Sequence, residues 1–226
     1  MADPRHQAFL RMLQELDARH LIDVDDVREL WLVRHADAYS GLRELSSGRQ
    51  DPVLTPEGRR QAGLLAARLA RVRFDAVWSS DLLRATQTAE QVARKHGLTV
   101  QVDPRLREAR TSWDEGRADV LGEPGVYPFP EPESEVFGRM SEALAEIAAG
   151  LDAGGRVRAR ALVVTHNAAI QVYISTVLGL RWGQLRVLPR YTSVSVLALK
   201  EEKVVVQSIA DATHLAVEPG GPEGLD

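Results

Sequence analysis

Short, uninterrupted apolar runs alternate along this chain with longer segments in which apolar residues recur every three or four positions. The first kind of run is typical of a strand buried on both faces of a sheet, and the second is typical of a helix with one buried face. The apolar runs predict strands at Leu30–Val33, Ala76–Trp78, Leu98–Val102 and Ala161–Val164. The runs Ser193–Leu199 and Lys203–Ser208 are joined by a short polar connection and therefore predict a closing β-hairpin.

The segments between these strands carry signals for helix ends. Thr55 and Pro56 are a typical N-cap and first helical residue, and the polar residues 79–81 are expected to cap the next helix. Helical spacing resumes at Glu133, and a later helix is expected to end at Gly179. Because strands and helices alternate, we predict a three-layer α/β/α fold with a mostly parallel central sheet.

The same patterning divides the chain into three parts. We predict an N-terminal helical extension over residues 1–28, one domain over 29–218 and a flexible tail over 219–226. The extension repeats large apolar residues at helical spacing, namely Phe9, Leu10, Leu13 and Leu16. We expect this face to pack on the domain, and a homodimer contact is the alternative.

Residues 110–132 interrupt the alternation of strands and helices. The segment contains four prolines and three aromatic residues, Trp113, Tyr127 and Phe129. A segment of this length without periodicity is usually a functional lid or is disordered. Two interpretations of the aromatic residues stay open, because they could cover a substrate or anchor the segment to the domain.

Composition narrows the classes of function. The 226 residues include 28 Lys plus Arg and 32 Asp plus Glu, and a net charge of −4 without a basic run argues against nucleic acid as a partner. No apolar stretch approaches the roughly 20 residues that span a membrane, so we expect no membrane partner. The chain has no cysteine, which excludes disulfides, thiolate nucleophiles and zinc sites built on sulfur. Charges throughout the N-terminus do not resemble a signal peptide, so the expected location is cytoplasmic.

Polar side chains follow three of the predicted strands. Arg34 and His35 come after the first strand, Ser79, Ser80 and then Arg84 come after the second, and Thr165–Asn167 come after the fourth. In open α/β sheets, ligands bind outside the carboxyl ends of the strands. We therefore expect these side chains to converge at one edge of the sheet.

Two arginines and two histidines at one edge predict a pocket for a phosphate dianion. The planar fork of an arginine can grip two phosphate oxygens, and Arg84 would also lie in the first turn of a helix, where free N–H groups favour an anion. A neutral histidine nitrogen can attack phosphorus, and a covalent phosphohistidine divides one difficult displacement into two easier steps. A leaving alkoxide still needs a proton, and Glu108, after the third strand, is the candidate acid.

These residues lie in motifs that resemble the histidine phosphatase superfamily, which includes the cofactor-dependent phosphoglycerate mutases. The resemblance extends from about residue 30 to residue 215, and the blocks follow the order found in the family. The blocks are Leu32–His35, Leu54–Gly58, Ser79–Ala89, Leu106–Glu108, Val164–His166 and Ala212–Leu215. The resemblance implies a phosphoglycerate mutase-like fold.

The resemblance also implies a role for each matched residue. His35 is the nucleophile, and Arg34, Arg84 and His166 bind the phosphoryl oxygens. Glu108 is the acid that protonates the leaving group and then the base that activates water. The family carries out this chemistry without a metal, and no cofactor is implied.

Several positions depart from the family pattern. Ala36 and Asn167 stand where the family usually has glycine, and Gly41 stands where an asparagine is often found. The alanine should crowd the backbone slightly. Asn167 tolerates unusual backbone angles and its amide can donate a hydrogen bond, so we include it among the substrate-binding residues.

The segment after Glu108 also departs from the family pattern. The family usually has a glycine and then Trp-Glu-Gly, whereas here the related residues 113–116 come one position early. Asp37, Asp114 and Glu115 are therefore reserve candidates for the proton donor.

The sequence thus predicts a metal-independent phosphomonoesterase that acts on a small phosphorylated metabolite. A phosphoglycerate mutase is one competing interpretation, but residues 110–132 carry only two arginines against five acidic residues, which makes them a poor host for a second phosphate. A protein phosphatase is a second, because an open pocket could admit a phosphorylated side chain. A non-catalytic phosphate-binding or scaffold protein of the same fold is a third.

Overall fold

The computed structural model describes residues 4–22, 24–38, 51–110, 127–152, 154 and 157–216. The helices are α1 (Pro4–Arg19), α2 (Pro56–Leu69), α3 (Leu83–His96), α4 (Glu133–Ala149) and α5 (Asn167–Val177). The strands are β1 (Val27–Arg34), β2 (Ala76–Ser79), β3 (Val100–Val102), β4 (Arg158–Thr165), β5 (Val194–Lys200) and β6 (Lys203–Asp211). Each predicted strand and each predicted helix start or end has a counterpart within a few residues.

The six strands form one sheet in the order β3-β2-β4-β1-β5-β6. The first four of these are mutually parallel, whereas β5 runs antiparallel to both β1 and β6. The mostly parallel sheet and the closing hairpin are therefore confirmed. The carboxyl ends of β1, β2, β3 and β4 consequently meet at one edge.

Helices cover both faces of the sheet, as predicted. Alternate residues of β1 point to opposite faces, so that Leu30 and Leu32 join a core formed with α4 and α5, whereas Val33 joins a core formed with α2 and α3. The side chains of Leu30, Leu32 and Val33 are completely buried. The three-layer α/β/α fold is thus confirmed.

The start of α2 shows why the sequence needs its particular residues there. The Thr55 hydroxyl accepts the N–H of Gly58 at 2.9 Å, and Pro56 is the first helical residue, which confirms the predicted N-cap. A Cβ on Gly58 would lie 1.8 Å from the carbonyl oxygen of Asp37. Only glycine therefore allows α2 to pack so closely against the loop that follows His35.

The predicted cap of α3 by residues 79–81 is wrong. Leu82 occupies the N-cap position without a side-chain hydrogen bond. Instead, Oδ1 of Asp51 accepts the N–H of Leu83 at 2.8 Å. A residue distant in sequence thus caps the helix in place of residues 79–81. The hydroxyl of Ser80, one of these residues, bonds to His166 instead.

The expectation that α1 packs on the domain is also wrong. Phe9, Met12 and Leu16 are 52%, 53% and 48% exposed. The first buried residue among those described is Leu21, which follows α1 and is 3% exposed. The helical pattern identified an apolar face but carried no information about what covers it. Among the described helices, none combines the length and apolar character needed to cross a membrane.

The segment predicted as a lid is described only at its two ends. Tyr127 and Phe129 lie 5.2 Å apart between ring centroids, and Trp182 lies 5.2 Å from the first ring and 6.0 Å from the second. Both rings also pack against the core formed with α4 and α5. For these two residues the structure supports the anchoring interpretation, whereas Trp113 lies outside the described residues.

Candidate active site

His35 stands directly after β1, where the parallel strands end. Its backbone N–H donates to the carbonyl of Thr165 at the end of the neighbouring β4 (2.9 Å). The imidazole is 3% exposed, and Nδ1 lies 2.7 Å from the carbonyl oxygen of Ala36. Because a carbonyl can only accept, Nδ1 carries the proton and Nε2 keeps its lone pair.

Two arginines lie next to this imidazole. Arg84 is in the first turn of α3, as predicted, and its Nε donates to Nε2 of His35 at 3.3 Å. Arg34 ends β1, donates from Nη1 to the carbonyl of Pro189 at 2.7 Å, and places its guanidinium carbon 4.1 Å from the ring centroid of Tyr191. The guanidinium of Arg84 therefore favours a phosphate bound at Nε2.

His166 follows β4 and brings a second imidazole into the site. The ring centroids of His166 and His35 lie 5.0 Å apart, and His166 is completely buried. Its Nε2 lies 2.7 Å from Oγ of Ser80, whereas its buried Nδ1 has no hydrogen-bond partner among the residues that the structure describes. If Ser80 donates to Nε2, Nδ1 carries a proton that a phosphoryl oxygen can accept.

Glu108 follows the short turn after β3 and so reaches the same edge of the sheet. Its Oε1 accepts the N–H groups of Ala109 and Ala169, both at 3.0 Å. Its Oε2 accepts the N–H of Ala168 at 3.2 Å. The first turn of α5, which begins directly after His166, therefore holds this carboxyl group near the histidine pair.

The electrostatics of the site favour neutral histidines and a protonated glutamate. Burial, followed by the positive charge of Arg84, lowers the pKa of His35 well below its ordinary value of 6.5. Burial, followed by the adjacent His35, lowers the pKa of His166 in the same direction. Burial raises the pKa of Glu108 above its ordinary value of 4.5, although the N–H groups that it accepts act against this rise. A neutral nucleophile and a carboxylic acid can thus coexist.

These groups supply the functions that a two-step phosphoryl transfer requires. An imidazole lone pair can attack, guanidinium groups can stabilise the phosphoryl oxygens, and a carboxylic acid can protonate the leaving oxygen. Within the described ranges, no three His, Asp or Glu side chains are grouped so that they could hold a metal ion.

The sequence of this chain matches the profile of the histidine phosphatase superfamily (branch 1) over residues 30–212. The match covers most of the chain and includes all the site residues described above. The chain belongs to the histidine phosphatase superfamily. The resemblance that the motifs carried is therefore confirmed.

Individual members of the superfamily extend the comparison. The chain is 32% identical over 211 residues to the Escherichia fergusonii protein named "Probable phosphoglycerate mutase GpmB", a match that covers 83% of this chain and 94% of the relative. A Serratia proteamaculans protein of the same name is 31% identical over 209 residues, with the same two coverages of 83% and 94%.

Solved structures confirm the predicted phosphoglycerate mutase-like fold. A phosphoglycerate mutase from Bacillus anthracis superposes with a TM-score of 0.68 at 20% identity, covering 85% of this chain and 96% of its own. A mycobacterial glucosyl-3-phosphoglycerate phosphatase superposes with a TM-score of 0.64 at 24% identity, covering 80% of this chain and 98% of its own. At these identities the likeness concerns the fold alone.

In this member of the superfamily, the structure brings the predicted catalytic side chains together. The imidazole of His35 lies 3.3 Å from the Nε of Arg84 and 5.0 Å from the ring centroid of His166, so the predicted convergence is confirmed. Arg34 and Glu108 stand at the same edge of the sheet. The individual roles in catalysis stay predictions.

The remaining predicted site residues are placed differently. Asn167 is the first residue of α5, and its Oδ1 accepts a hydrogen bond from Nε2 of Gln171 at 3.0 Å, so this oxygen is directed along its own helix. The carboxylate of Asp37 accepts the hydroxyl of Thr55 at 2.6 Å, which ties this reserve acid to the start of α2. The other two reserve acids, Asp114 and Glu115, lie outside the described residues. Gly41, which stands where the family often has asparagine, also lies outside them.

The backbone around Ala36 is held by a residue that the sequence analysis did not single out. Thr88 Oγ1 accepts the N–H of Ala36 at 3.0 Å and donates to the carbonyl of Arg84 at 2.6 Å. The φ angle of Ala36 is not positive, and its methyl group packs in a small buried cluster. The superfamily histidine loop therefore accommodates alanine without a left-handed backbone.

Two further side chains belong to the site although no role in it was assigned to them from the sequence. Ser80 was expected at this edge of the sheet only as a polar residue after the second strand and as a helix cap, and it bonds to Nε2 of His166. The ring centroid of Tyr191 lies 5.7 Å from that of His35, in addition to its contact with Arg34. No local pattern points to Tyr191, because it precedes β5 and reaches the site only through the fold.

Proposed function

We propose that this chain is a phosphomonoesterase that moves a phosphoryl group from a small phosphorylated metabolite to Nε2 of His35 and then to water. The observation that carries this proposal is the state of that nitrogen. Nδ1 is occupied as a donor to the Ala36 carbonyl, and the Nε–H of Arg84 approaches Nε2 at 3.3 Å. A nucleophilic lone pair beside a fixed cation is suited to attack on a phosphate dianion.

In the first step, the Nε2 lone pair forms a bond to phosphorus while the ester P–O bond breaks. Arg34, Arg84 and His166 would hold the equatorial oxygens, and Glu108 would donate its proton to the leaving oxygen. This leaves a phosphohistidine, a Glu108 carboxylate and a free alcohol.

In the second step, water attacks the phosphorus of the phosphohistidine. The carboxylate of Glu108 would take a proton from that water while the P–N bond breaks, so that inorganic phosphate leaves and His35 becomes neutral again. Both steps balance without a redox partner, and no metal ion is needed in this scheme.

A mutase is the second candidate, because two relatives that are 31–32% identical to this chain are named probable phosphoglycerate mutases. Chain length does not separate the two activities, since 94% of the Escherichia fergusonii relative is covered by the match. The excess of acidic residues in 110–132 favours the phosphatase, since a mutase has to retain a second phosphate group.

The test is turnover of p-nitrophenyl phosphate with and without a chelator, together with trapping of the phosphoenzyme. His35→Ala should abolish both turnover and an acid-labile, base-stable phosphoenzyme. The matched control is His20→Ala, which should leave activity unchanged because the side chain of this exposed histidine bonds to the carbonyl of Leu16 (2.9 Å) in its own helix.

Three outcomes would contradict the proposal in different ways. Loss of activity in the chelator would show dependence on a metal. Interconversion of phosphoglycerate isomers that outpaces phosphate release would identify a mutase. Tight binding of inorganic phosphate without any phosphoenzyme would indicate a non-catalytic member of the fold.

A further inference from the structure

One arginine outside the phosphate pocket binds the segment that carries Glu108. Arg139 belongs to α4, and its side chain is 19% exposed. Its Nη1 donates to the carbonyls of Arg105 (2.7 Å) and Arg107 (2.6 Å), and its Nη2 donates to the carbonyl of Glu108 (3.0 Å). A single guanidinium therefore holds three carbonyls within four residues of chain.

Glu131 completes this arrangement on the other side of Glu108. Its Oε1 accepts the Nε–H of Arg139 at 2.8 Å, and its Oε2 accepts Nη2–H at 3.1 Å. The same Oε2 accepts the backbone N–H of Arg110 at 2.8 Å. The ion pair thus binds backbone groups both before and after the proposed proton donor.

The segment needs this support because it has no regular structure of its own. After the short turn Pro104–Leu106, residues 107–110 belong to no helix or strand. Backbone carbonyls there would lack partners in a partly buried environment, and such groups are costly to leave unpaired. Arginine suits this task because its rigid fork presents five N–H donors in one plane.

We infer that the Arg139–Glu131 ion pair positions Glu108 for proton transfer. Arg139 donates to the backbone carbonyl of Glu108, while the carboxyl group of Glu108 is held separately by the N–H groups of Ala168 and Ala169. The proton donor is therefore fixed at two points, its backbone by α4 and its carboxyl group by α5. This inference rests on the proposed function, because it assumes that Glu108 protonates the leaving group.

The inference predicts a specific kinetic defect in Arg139→Met. A displacement of about 1 Å in a catalytic group can cost on the order of 100-fold in rate, so kcat/KM for alkyl phosphates should fall about 10- to 100-fold. Aryl phosphates, whose leaving groups need little protonation, should be affected far less. Inhibition by inorganic phosphate should be unchanged, since the pocket arginines keep their contacts.

The pH profile provides a readout that a purely structural role would not move. Burial raises the pKa of Glu108. In Arg139→Met, water admitted by a loosened segment would lower this pKa, whereas loss of the guanidinium charge beside the unpaired Glu131 carboxylate would raise it. Because the protonated acid is the active form, the alkaline limb of the alkyl phosphate profile should move away from its wild-type position in Arg139→Met.

Arg158→Met is the matched control. Arg158 has a side-chain exposure of 16%, compared with 19% for Arg139, and donates to Glu29 at 2.6 Å and to the carbonyl of Leu21 at 2.8 Å. Arg158 is the first residue of β4, and it therefore lies at the end of the sheet opposite the site. Arg158→Met should lower stability without changing the leaving-group preference or the pH profile.

Glu131→Gln is the second variant, in case Arg139→Met fails to fold. The amide keeps an oxygen for the Arg110 N–H but loses the charge that orients Arg139, so a smaller defect of the same kind is expected. Equal losses on alkyl and aryl phosphates, with an unmoved alkaline limb in both variants, would overturn the inference. A wild-type protein without any phosphoenzyme would instead overturn the proposed function.

Discussion

Replacing Glu108 by glutamine separates the proton donor from the rest of the site. Oε1 accepts two N–H groups at 3.0 Å, whereas Oε2 accepts only one at 3.2 Å. Oε2 is therefore the oxygen better suited to carry the acid proton. A glutamine can keep its carbonyl oxygen at the Oε1 position and place its NH₂ group at the Oε2 position. It would lose only the longest of the three bonds.

Glu108→Gln is expected to have two separate effects, one on the free energy of folding and one on the rate of phosphoenzyme formation. Leaving the N–H of Ala168 without its acceptor should cost about 1–3 kcal/mol of folding free energy. General acid catalysis contributes roughly 10²- to 10⁴-fold, which corresponds to about 2.7–5.4 kcal/mol of transition-state stabilisation. We expect Glu108→Gln to slow phosphoenzyme formation from alkyl phosphates by that factor, and from p-nitrophenyl phosphate by less than about 10-fold.

The assay is rapid-quench measurement of phosphoenzyme formation in a single turnover. This step isolates protonation of the leaving group from the later attack of water, for which Glu108 would also act as the base. Urea unfolding measures the stability cost separately. Equal slowing with both substrates would refute the assignment of Glu108 as the acid, and an unchanged rate with alkyl phosphates would refute it more directly.

Three further predictions follow from the electrostatics and packing of the site. Burial lowers the pKa of His35 and raises that of Glu108. The value of kcat/KM for alkyl phosphates should therefore persist at pH values below 6.5 and fall as the pH rises through the pKa of Glu108. A pH profile that increases steadily from pH 6 to 8 would contradict this prediction. Asp51→Ala should remove the cap of α3 and lower the free energy of unfolding in urea by about 1 kcal/mol. The same substitution should tighten inhibition by inorganic phosphate, because it removes a carboxylate that lies 3.8 Å from Arg84. Weaker inhibition would contradict this second expectation. Gly58→Ala should destabilise the fold by about 1–3 kcal/mol and reduce activity, because a Cβ would lie 1.8 Å from the backbone oxygen of Asp37. A melting temperature and a turnover rate equal to those of the wild type would show that α2 can shift freely.

Local sequence patterns were sufficient for the fold class and for the centre of the site. Apolar runs and helical spacing report which faces are buried, and burial is what drives strands and helices together. Because parallel strands end at one edge, residues that directly follow strands, such as His35 and His166, could be predicted to meet. The motif resemblance then indicated their chemistry.

The contacts that hold the site together could not be predicted in this way. Asp51 caps a helix that begins more than 30 positions later in the chain, and Arg139 binds a segment that lies more than 30 positions before it. Local periodicity carries no information about such pairs.

The exposure of α1 has the same origin. An amphipathic pattern determines that Phe9 and Leu16 share a face, whereas the surface that this face contacts depends on the path of the chain after Arg19. The sequence by itself thus determined which residues prefer burial and which strand ends carry reactive groups. Only the tertiary structure decided which distant hydrogen-bond partners meet, because those bonds depend on packing between elements and not on spacing within them.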